Sequence, residues 1–294
     1  MSWFRDRLYK YVRIPLSGFL FKRFIRIKNT EDTINYIIEK KCSIARYGDG
    51  EFNIMAGGKQ GFQRPDKELG SKLSMVLRSK LPNLIIGIPY AFVNTDNFIP
   101  RSITFWNYYR AINFIFLLRQ LDFTIQYYDS LISRFYMDYE DKSNCGHILS
   151  LLKKIWDKRD IIIIEGEQSR TGVGNDLFYN ANSIKRILCP SENAYDKYDE
   201  ILSAARNLGT KNHLFILSLG MTATVLAYDL AKDGYQAIDL GHLDVEYEWY
   251  KLKATKKVPL QNRYVNEVNY IYGKQDVEDC IDKNYLSEII TTIK

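Results

Sequence analysis

Three charged residues, Arg46, Asp49 and Glu51, lie within six positions in the segment RYGDGE, directly after an apolar stretch. Gly48 and Gly50 remove side chains where the backbone must turn or approach a ligand closely. If the loop curls, both carboxylates can face one point and hold a hard cation. The same residues could instead form a tight surface turn with solvated charges, which is the more common role of a lone Asp-Gly-Glu.

A second polar loop, EGEQSRTGVGNDLF, follows a run of four isoleucines. Its glycines leave backbone N–H groups accessible and Arg170 adds a guanidinium, so the loop suits a phosphate group. Asn175 and Asp176 are further polar candidates near its end. The GVG fragment lacks the third glycine of a dinucleotide fingerprint, which argues against an NAD site. The alternative is a connecting loop without a function.

A third candidate is the segment SLGMTATV, which is typical of a turn from a strand into a helix. The unpaired N–H groups and the positive dipole end of a helix N-terminus there would attract an anion, with Gly220 and Thr222 nearest to it. Alternatively, Thr222 is simply the N-cap residue of the helix.

The fourth candidate is a histidine followed by three carboxylates, His242, Asp244, Glu246 and Glu248. If this segment is helical, Asp244 and Glu248 share a face and Glu246 points elsewhere. A histidine among carboxylates just beyond a predicted strand is a candidate for acid–base or metal chemistry. The other two histidines of the chain lack such neighbours and are interpreted as structural.

Alternating strand-like and helix-like segments from about residue 31 onward would position these loops. The apolar runs in NLIIGIPY, RDIIIIEGE and HLFILSLG are typical of strands buried on both faces of a sheet. The segment ITFWNYYRAINFIFLLRQL is predicted as one largely buried helix. Strand, helix and strand follow each other closely around MTATVLAYDLAKDG, which predicts a βαβ unit and a parallel sheet covered by helices. In such sheets, ligands bind outside the C-terminal ends of the strands.

The composition of the 294 residues, 46% hydrophobic and 26% charged, is ordinary for a soluble globular protein. The four cysteines are scattered and form no CxxC pair, and there are only three histidines. A zinc cluster or a disulfide framework is therefore not expected, and reduced thiols in a cytoplasm are the simpler interpretation.

The positive charge is concentrated at the N-terminus. Residues 1–29 contain eight basic residues and one acidic residue, a net +7, whereas the whole chain carries +6. The main domain is therefore not expected to bind nucleic acid. Apolar residues recur at helical spacing between these charges: Trp3, Phe4, Leu8, Tyr11 and Val12. Such a basic amphipathic segment suits an anionic membrane surface, and the alternative is a helix that packs its apolar stripe on the domain.

Five segments, taken in order, resemble the bacterial glycosyltransferases of the GT-D fold: RYGDGEF, GEQSRTGVGNDLF, ILCPSENAYDKYDEI, LSLGMTATVLAYDLAKDGYQAIDLGHLDVEYEW and KVPLQNRYVNEV. The resemblance covers roughly residues 31–270. It implies a Rossmann-like, mostly parallel α/β domain flanked by helices, a UDP-sugar donor, commonly UDP-glucose, and a divalent metal, Mn²⁺ or Mg²⁺, at an Asp-x-Glu motif. Asp49-Gly50-Glu51 matches that motif. We therefore expect a basic amphipathic segment over residues 1–30 and a single GT-D-like domain over residues 31–294.

The resemblance also suggests a role for each polar group. Asp49 and Glu51 would hold the metal, directly or through water. The nucleotide and donor sugar would contact a set of polar and glycine residues: Arg46, Gly48, Arg170, Asn175, Asp176, Asn193, Gly220 and Thr222. His242, Asp244, Glu246 and Glu248 would form the acceptor side. If the reaction inverts the anomeric carbon, His242 or Glu248 would take the acceptor hydroxyl proton; if it retains the configuration, the cluster would orient sugars.

The predicted function is the metal-dependent transfer of a hexose, glucose by the resemblance, from a UDP-sugar to a glycan acceptor on a protein or a lipid carrier in bacterial glycan biosynthesis. The enzyme is expected in the cytoplasm, with its basic segment at the inner face of the membrane. Two alternatives stay open, namely a sugar-nucleotide phosphohydrolase that uses the same metal loop and a non-catalytic membrane-bound partner of another transferase. The acceptor, the linkage and the oligomeric state are not specified by the sequence.

Overall fold

The structure, a computed structural model, describes residues 7, 9–265, 268, 272–273, 277–278 and 280–294. Three apolar residues of the predicted amphipathic segment, Trp3, Phe4 and Leu8, lie outside the described residues, as do residues 266–267 of the last resembling segment. Within the described part of the chain, no helix is both long enough and apolar enough to cross a membrane.

Nine strands form one sheet, and the strand pairs described in it are all parallel. The strands are β1 (Arg26–Ile27), β2 (Ser43–Arg46), β3 (Leu84–Ile88), β4 (Gln126–Asp129), β5 (Asp160–Gly166), β6 (Ser183–Cys189), β7 (Leu214–Ser218), β8 (Gln236–Asp239) and β9 (Ile289–Thr292). Their order across the sheet is β1-β4-β3-β2-β8-β7-β5-β6-β9. The predicted parallel α/β architecture is confirmed.

Helices cover both faces of this sheet. The α-helices of the described residues are α1 (Ile14–Phe24), α2 (Thr30–Lys40), α3 (Asp49–Met55), α4 (Lys67–Val76), α5 (Pro100–Ile112), α6 (Phe114–Gln120), α7 (Cys145–Ile155), α8 (Tyr198–Leu208), α9 (Met221–Lys232), α10 (Leu243–Lys251) and α11 (Lys283–Glu288). Short 3₁₀ turns follow β3, β4 and β6.

The four isoleucines of β5 explain why the sheet needs two helical layers. All four are fully buried, and alternate side chains point to opposite faces. Ile162 and Ile164 pack into the core that includes residues of α3, α4, α8 and α9. Ile161 and Ile163 pack into a second core with residues of α2, α7 and α10. A continuous apolar run is therefore required, as the sequence predicted.

The direction in which successive strands are added to the sheet changes between β2 and β8, although the strands themselves stay parallel. From β2 the chain proceeds outward to β3 and then β4, whereas β8, β7 and β5 lie on the other side of β2. Helix α3 leaves the end of β2 toward one core, and α10 leaves the end of β8 toward the other. The two connections diverge, which opens a crevice of the kind in which α/β proteins bind ligands.

The described part of the N-terminal segment packs as part of the domain. Phe21 of α1 is fully buried and its ring centroid lies 5.7 Å from that of Phe92. Strand β1 pairs with β4 at the edge of the sheet. The opposite side of α1 still exposes Leu16 and Phe19 to solvent. Packing on the domain therefore explains the apolar residues on one face of α1, but not those on its exposed face.

One sequence-based expectation is wrong. The segment predicted as a single, largely buried helix forms two helices, α5 and α6, which meet at Asn113. Four of its apolar residues are exposed, Phe105, Tyr108, Ile112 and Ile115. Because apolar and aromatic residues occur all around this segment, its composition did not reveal which side would face water.

Candidate active site

A pocket lies at the C-terminal edge of the sheet, where the loops after β5, β6, β7 and β8 meet. Three residues predicted from the sequence line it, Gly220, His242 and Asp244. The pocket also has a set of polar and aromatic lining residues that the sequence did not suggest: Phe62, Gln63, Gln168, Ser169, Ser191, Ser218 and Tyr264. These residues come from loops that are distant in sequence. Residue spacing alone therefore could not predict that they meet in one pocket.

The Asp-Gly-Glu segment forms the first turn of α3, directly after β2. Gly48 is the N-cap, and its N–H donates a hydrogen bond of 2.7 Å to Glu51 Oε2. Burial raises the pKa of Glu51 to about 7, and the negative charges of Asp239 and Asp49 also raise it, although the Gly48 N–H opposes them. Asp49 and Glu51 are both partly buried. The first turn of α3 therefore concentrates negative charge at the end of β2.

These two carboxylates fit a divalent cation that is shared with a diphosphate. Among the described residues, no three histidine, cysteine, aspartate or glutamate side chains are grouped closely enough to hold a metal by themselves. Mg²⁺ in nucleotide sites is usually held by one or two carboxylates together with water and substrate phosphates, rather than by an all-protein cage. Asp49 and Glu51 supply that donor set, and a cation would offset the cost of burying Glu51 in its charged form.

Arg46 connects β2 to β8 at the switch point. Its Nε donates to the Asp239 carbonyl oxygen at 2.6 Å, and its Nη2 lies 3.1 Å from Asp239 Oδ1. Its Nη1 donates to the Ser130 carbonyl oxygen and to Ser133 Oγ, each at 2.7 Å. Each guanidinium nitrogen therefore has an acceptor within the protein, and the phosphate contact inferred from the sequence stays a prediction.

Asp239 is a site residue that the sequence interpretation missed. Its carboxylate is buried at the end of β8, and burial raises its pKa although Arg46 lowers it. Gly241, two residues later, has φ +49°, and a Cβ there would lie 2.4 Å from Arg46 Nη2. The indication available in the sequence was a lone carboxylate that ends the apolar strand AID.

Helix α9 begins beside the first turn of α3. Gly220 is its N-cap, so the interpretation of Thr222 as the N-cap is wrong. The Thr222 hydroxyl is buried and has no hydrogen-bond partner among the described residues. A Cβ added at Gly50 would lie 2.7 Å from Met221 Cε, which shows how closely the two helix N-termini approach. Of these two helix N-termini, that of α9 contributes Gly220 to the pocket lining.

The glycine-rich loop after β5 is attached to α10 by hydrogen bonds. The N–H of Gly172 donates to Asp244 Oδ1 at 2.9 Å. Asn175 Nδ2 bridges Asp244 Oδ1 at 2.8 Å and Glu248 Oε1 at 2.6 Å. Arg263 Nη1 pairs with Asp244 Oδ2. The predicted common face of Asp244 and Glu248 is thus present, and it holds the loop.

Two loop residues that were predicted to contact the donor point elsewhere. Arg170 has φ +48° and donates to the carbonyl oxygens of Asn262 at 2.7 Å and Glu278 at 2.5 Å. Asp176 accepts hydrogen bonds of 2.7 Å from Tyr247 Oη and Lys251 Nζ. Neither residue lines the pocket in this structure.

Glu246 lies off the Asp244–Glu248 face, as the helical spacing predicted, but it does not line the pocket, although the sequence interpretation placed it on the acceptor side. It is fully buried, and its Oε2 accepts the N–H groups of Tyr136 at 3.2 Å and Met137 at 2.8 Å. Arg134 Nη1 lies 3.7 Å from its Oε1. Glu246 therefore joins α10 to the segment after β4.

His242 and Asn193 lie at the rim of the pocket. His242 is partly exposed, precedes the first residue of α10 and lines the pocket. Asn193 has φ +50°; its N–H donates to the Phe62 carbonyl oxygen at 2.9 Å, and its Oδ1 accepts from the Arg64 N–H at 2.8 Å. Asn193 thus fixes the loop that carries Phe62 and Gln63 into the pocket.

Comparison with known proteins agrees with this geometry. A family model described as the glycosyltransferase GT-D fold matches residues 44–268. The chain is 38% identical over 270 residues to glycosyltransferase GlyD of Streptococcus pneumoniae serotype 4 (strain ATCC BAA-334 / TIGR4), an alignment that covers 92% of this chain and 33% of the relative. It is 37% identical over 276 residues to the probable glycosyl transferase Gly of Streptococcus gordonii, covering 92% and 39%. The chain thus spans about a third of the length of these relatives.

Solved structures match over almost the whole chain. One is described as the highly conserved domain of unknown function 1792 with a distinct glycosyltransferase fold; it has a TM-score of 0.88 and 38% identity, with 96% of this chain and 98% of that one covered. Another, described as a new glycosyltransferase from Streptococcus sanguinis, has a TM-score of 0.86 and 36% identity, with 92% and 100% covered.

Proposed function

Because the chain belongs to the GT-D family of glycosyltransferases, we propose that it transfers a hexose, glucose by family resemblance, from a UDP-sugar to a glycan acceptor with the help of a divalent metal. One observation carries the proposal: Gly220, at the start of α9, lines the pocket with His242, and the side chain of the next residue, Met221, lies against Gly50 of the Asp49–Glu51 turn, which does not itself line the pocket. A diphosphate at that junction would have a sugar on one side and an acceptor space on the other.

Asp49 and Glu51 would hold Mn²⁺ or Mg²⁺, which when bound neutralises the charge that develops on the departing nucleoside diphosphate. Glu51 also fixes the turn, because its Oε2 accepts the Gly48 N–H. The position of Asp49 is supported from the other side by Tyr109, whose hydroxyl donates to the Asp49 carbonyl oxygen at 3.3 Å. The Glu51 carboxylate and the backbone at Asp49 are thus held in place before a substrate arrives.

The N-terminus of α9 would contact the phosphates. Its first N–H groups lack partners within the helix, and the helix dipole favours an anion there. A buried hydroxyl without a hydrogen bond, such as that of Thr222, indicates a role that the protein alone does not fill. Gly220 is held at φ +54°, which lets the backbone turn at this point.

His242 is the best candidate to receive the acceptor hydroxyl proton in an inverting reaction. It lines the pocket, and a neutral imidazole can accept a proton near neutral pH. Glu248, the other candidate from the sequence, already accepts a hydrogen bond from Asn175 and lies 3.9 Å from Arg263 Nη2. In a retaining reaction, His242 would orient the acceptor instead.

Metal-dependent UDP binding tests the donor site. We expect UDP to bind in the presence of Mn²⁺ and to lose most of its affinity when EDTA is added. Asp49→Asn and Glu51→Gln should have the same effect as EDTA, because each removes a carboxylate charge, while Glu51→Gln keeps an oxygen for the Gly48 N–H. Asp233→Asn, a surface carboxylate paired with Arg206, is the matched control. Equal UDP binding with and without metal would refute the metal role.

Product analysis separates transfer from hydrolysis. With UDP-glucose and a panel of aryl glycosides as surrogate acceptors, glycoside and UDP formation supports a transferase, whereas acceptor-independent release of glucose 1-phosphate and UMP supports the phosphohydrolase alternative. His242→Gln should lower transfer by roughly 10²–10⁴-fold with little change in UDP affinity. His213→Gln is the control, because His213 bonds to Thr210 on the surface. Unchanged transfer by His242→Gln would exclude the proton-acceptor role.

A further inference from the structure

Helices α5 and α6 present a continuous apolar stripe to solvent. Phe105, Tyr108, Ile112 and Ile115 are each between 38 and 57% exposed. Their spacing of three or four residues places them on one side of the helix, and the stripe continues across the break at Asn113. The side opposite this stripe packs inward through Trp106, which is buried. A large part of each of these apolar side chains therefore remains in contact with water.

Helix α1 and the turn before it carry a second apolar stripe. Val12, Leu16 and Phe19 are between 46 and 66% exposed and recur at helical spacing. The two elements are neighbours, because Arg110 of α5 donates to Ser17 Oγ of α1 at 3.2 Å. Exposed single apolar residues are common, but two adjacent helices with such stripes are typical of an interaction surface.

The charges around these stripes indicate the kind of partner. Residues 7–29 and 97–121 contain ten basic residues and no acidic residue, although the whole chain has 35 acidic residues. Arg101 and Arg119 stand at the two ends of the α5–α6 stripe, and Lys22 and Arg23 stand in the last turn of α1. One of the ten, Arg110, is buried, and Asp6, Asp96 and Asp122 lie just outside these two ranges. Apolar side chains flanked mainly by cations complement the acyl chains and the phosphate groups of an anionic lipid surface.

We propose that the outer faces of α1, α5 and α6 together form a surface that binds an anionic lipid bilayer. Helices α5 and α6 thus extend the basic N-terminal segment as a membrane-binding surface. Both helices lie within the residues that match the GT-D family model. The apolar residues would enter the boundary between headgroups and acyl chains, and the arginines would contact lipid phosphates.

This surface adjoins the Asp49–Glu51 turn. Tyr109, on α5, donates hydrogen bonds of 3.3 Å to the Asp49 carbonyl oxygen and to Asn53 Oδ1. A bilayer bound to α5 would thus lie one helix away from Asp49, which favours an acceptor carried on a lipid over one carried on a protein. That consequence rests on the proposed function, whereas bilayer binding does not.

Vesicle co-sedimentation of the full chain tests the surface. We expect binding to vesicles that contain phosphatidylcholine and phosphatidylglycerol, little binding to phosphatidylcholine alone, and a loss of binding at high salt. Arg101→Gln with Arg119→Gln should weaken binding by roughly fivefold for each arginine. Ile112→Ser with Ile115→Ser should weaken it by about tenfold or more.

The control pair is Ile281→Ser with Leu286→Ser, which removes exposed apolar side chains near the opposite edge of the sheet. Unfolding temperature and UDP binding, measured for every variant, identify any loss of fold or donor site. Equal vesicle binding by the Ile112/Ile115 and control variants would overturn the proposal. So would a concentration-dependent dimer, seen by light scattering, that these isoleucine substitutions abolish while vesicles are never bound.

Discussion

Replacement of Arg186 by methionine should destabilise the protein and distort the glycine-rich loop at the same time. The Arg186 side chain is 2% exposed and that of Glu165 is fully buried, with their charged atoms 2.6 Å apart. Arg186 Nε also lies 2.6 Å from Glu288 Oε2, and its Nη1 donates to the Thr171 carbonyl oxygen at 2.9 Å. Burial alone would lower the pKa of Arg186, but the carboxylates of Glu165 and Glu288 outweigh it and raise the pKa.

The magnitude follows from what the substitution leaves behind. Without Arg186, the hydrogen bond that Glu165 Oε2 accepts from the Thr171 N–H at 2.6 Å is the one that Glu165 keeps among the described residues. Removal of one partner from a buried ion pair typically costs about 3–5 kcal/mol in the free energy of unfolding. Addition of Glu165→Gln removes the uncompensated charge, so the double variant should recover roughly 1–3 kcal/mol. Thr171 lines the pocket, so UDP affinity should also fall in the single variant.

Urea unfolding followed by circular dichroism measures the stability change. The matched control is Arg206→Met, because the Arg206–Asp233 pair has a similar separation of 2.7 Å but side chains that are 47 and 30% exposed. An exposed pair contributes about 0–1 kcal/mol. If Arg186→Met and Arg206→Met lower the free energy of unfolding equally, or if Glu165→Gln worsens the effect of Arg186→Met, the inferred role of this ion pair is wrong.

Two further predictions use paired positions. Gly220→Ala should abolish most UDP binding, because a Cβ there would meet the Phe62 ring at 2.2 Å. Gly174 is also at positive φ but has no atom within 4 Å of an added Cβ, so Gly174→Ala should cost only about 1 kcal/mol in the free energy of unfolding and leave UDP binding unchanged. Equal UDP affinities of the two variants would contradict this. Phe21→Ala should lower the free energy of unfolding by about 3–5 kcal/mol, since Phe21 is fully buried, while the exposed Phe19→Ala should change it by less than about 0.5 kcal/mol. Equal losses of stability would show that α1 does not pack on the domain.

The sequence predicted the architecture because the relevant information is local. The isoleucine run of β5 specifies a strand buried on both faces, and strand and helix alternate through β7, α9 and β8. Once the sheet is parallel, the C-terminal ends of its strands meet at one edge, so the polar loops had to gather there. Gly220 and His242 were found to line one pocket for this reason.

The partners of the charged residues could not be predicted in the same way. Arg46 and Asp239 are 193 positions apart, and Glu246 meets the Tyr136 N–H across 110 positions. Such pairs form only after the helices have packed, and nothing in the residue spacing specifies them. An arginine near glycines is as suitable for joining two strands as for binding a phosphate, since its rigid fork matches both kinds of oxygen acceptor.

The acidic cluster illustrates how this ambiguity changes the mechanism. Helical spacing correctly predicted that Asp244 and Glu248 share a face, but that face meets Asn175 and Arg263 rather than open solvent. The glycine-rich loop is therefore held at two consecutive residues in its middle, at Thr171 by Glu165 and at Gly172 by Asp244. The carboxylates of Asp244 and Glu248 are thus already engaged by the protein, Asp244 by Gly172 and Glu248 by Asn175. Asp244 thus forms part of the pocket wall while it anchors the loop, which leaves His242 as the proton acceptor that we propose.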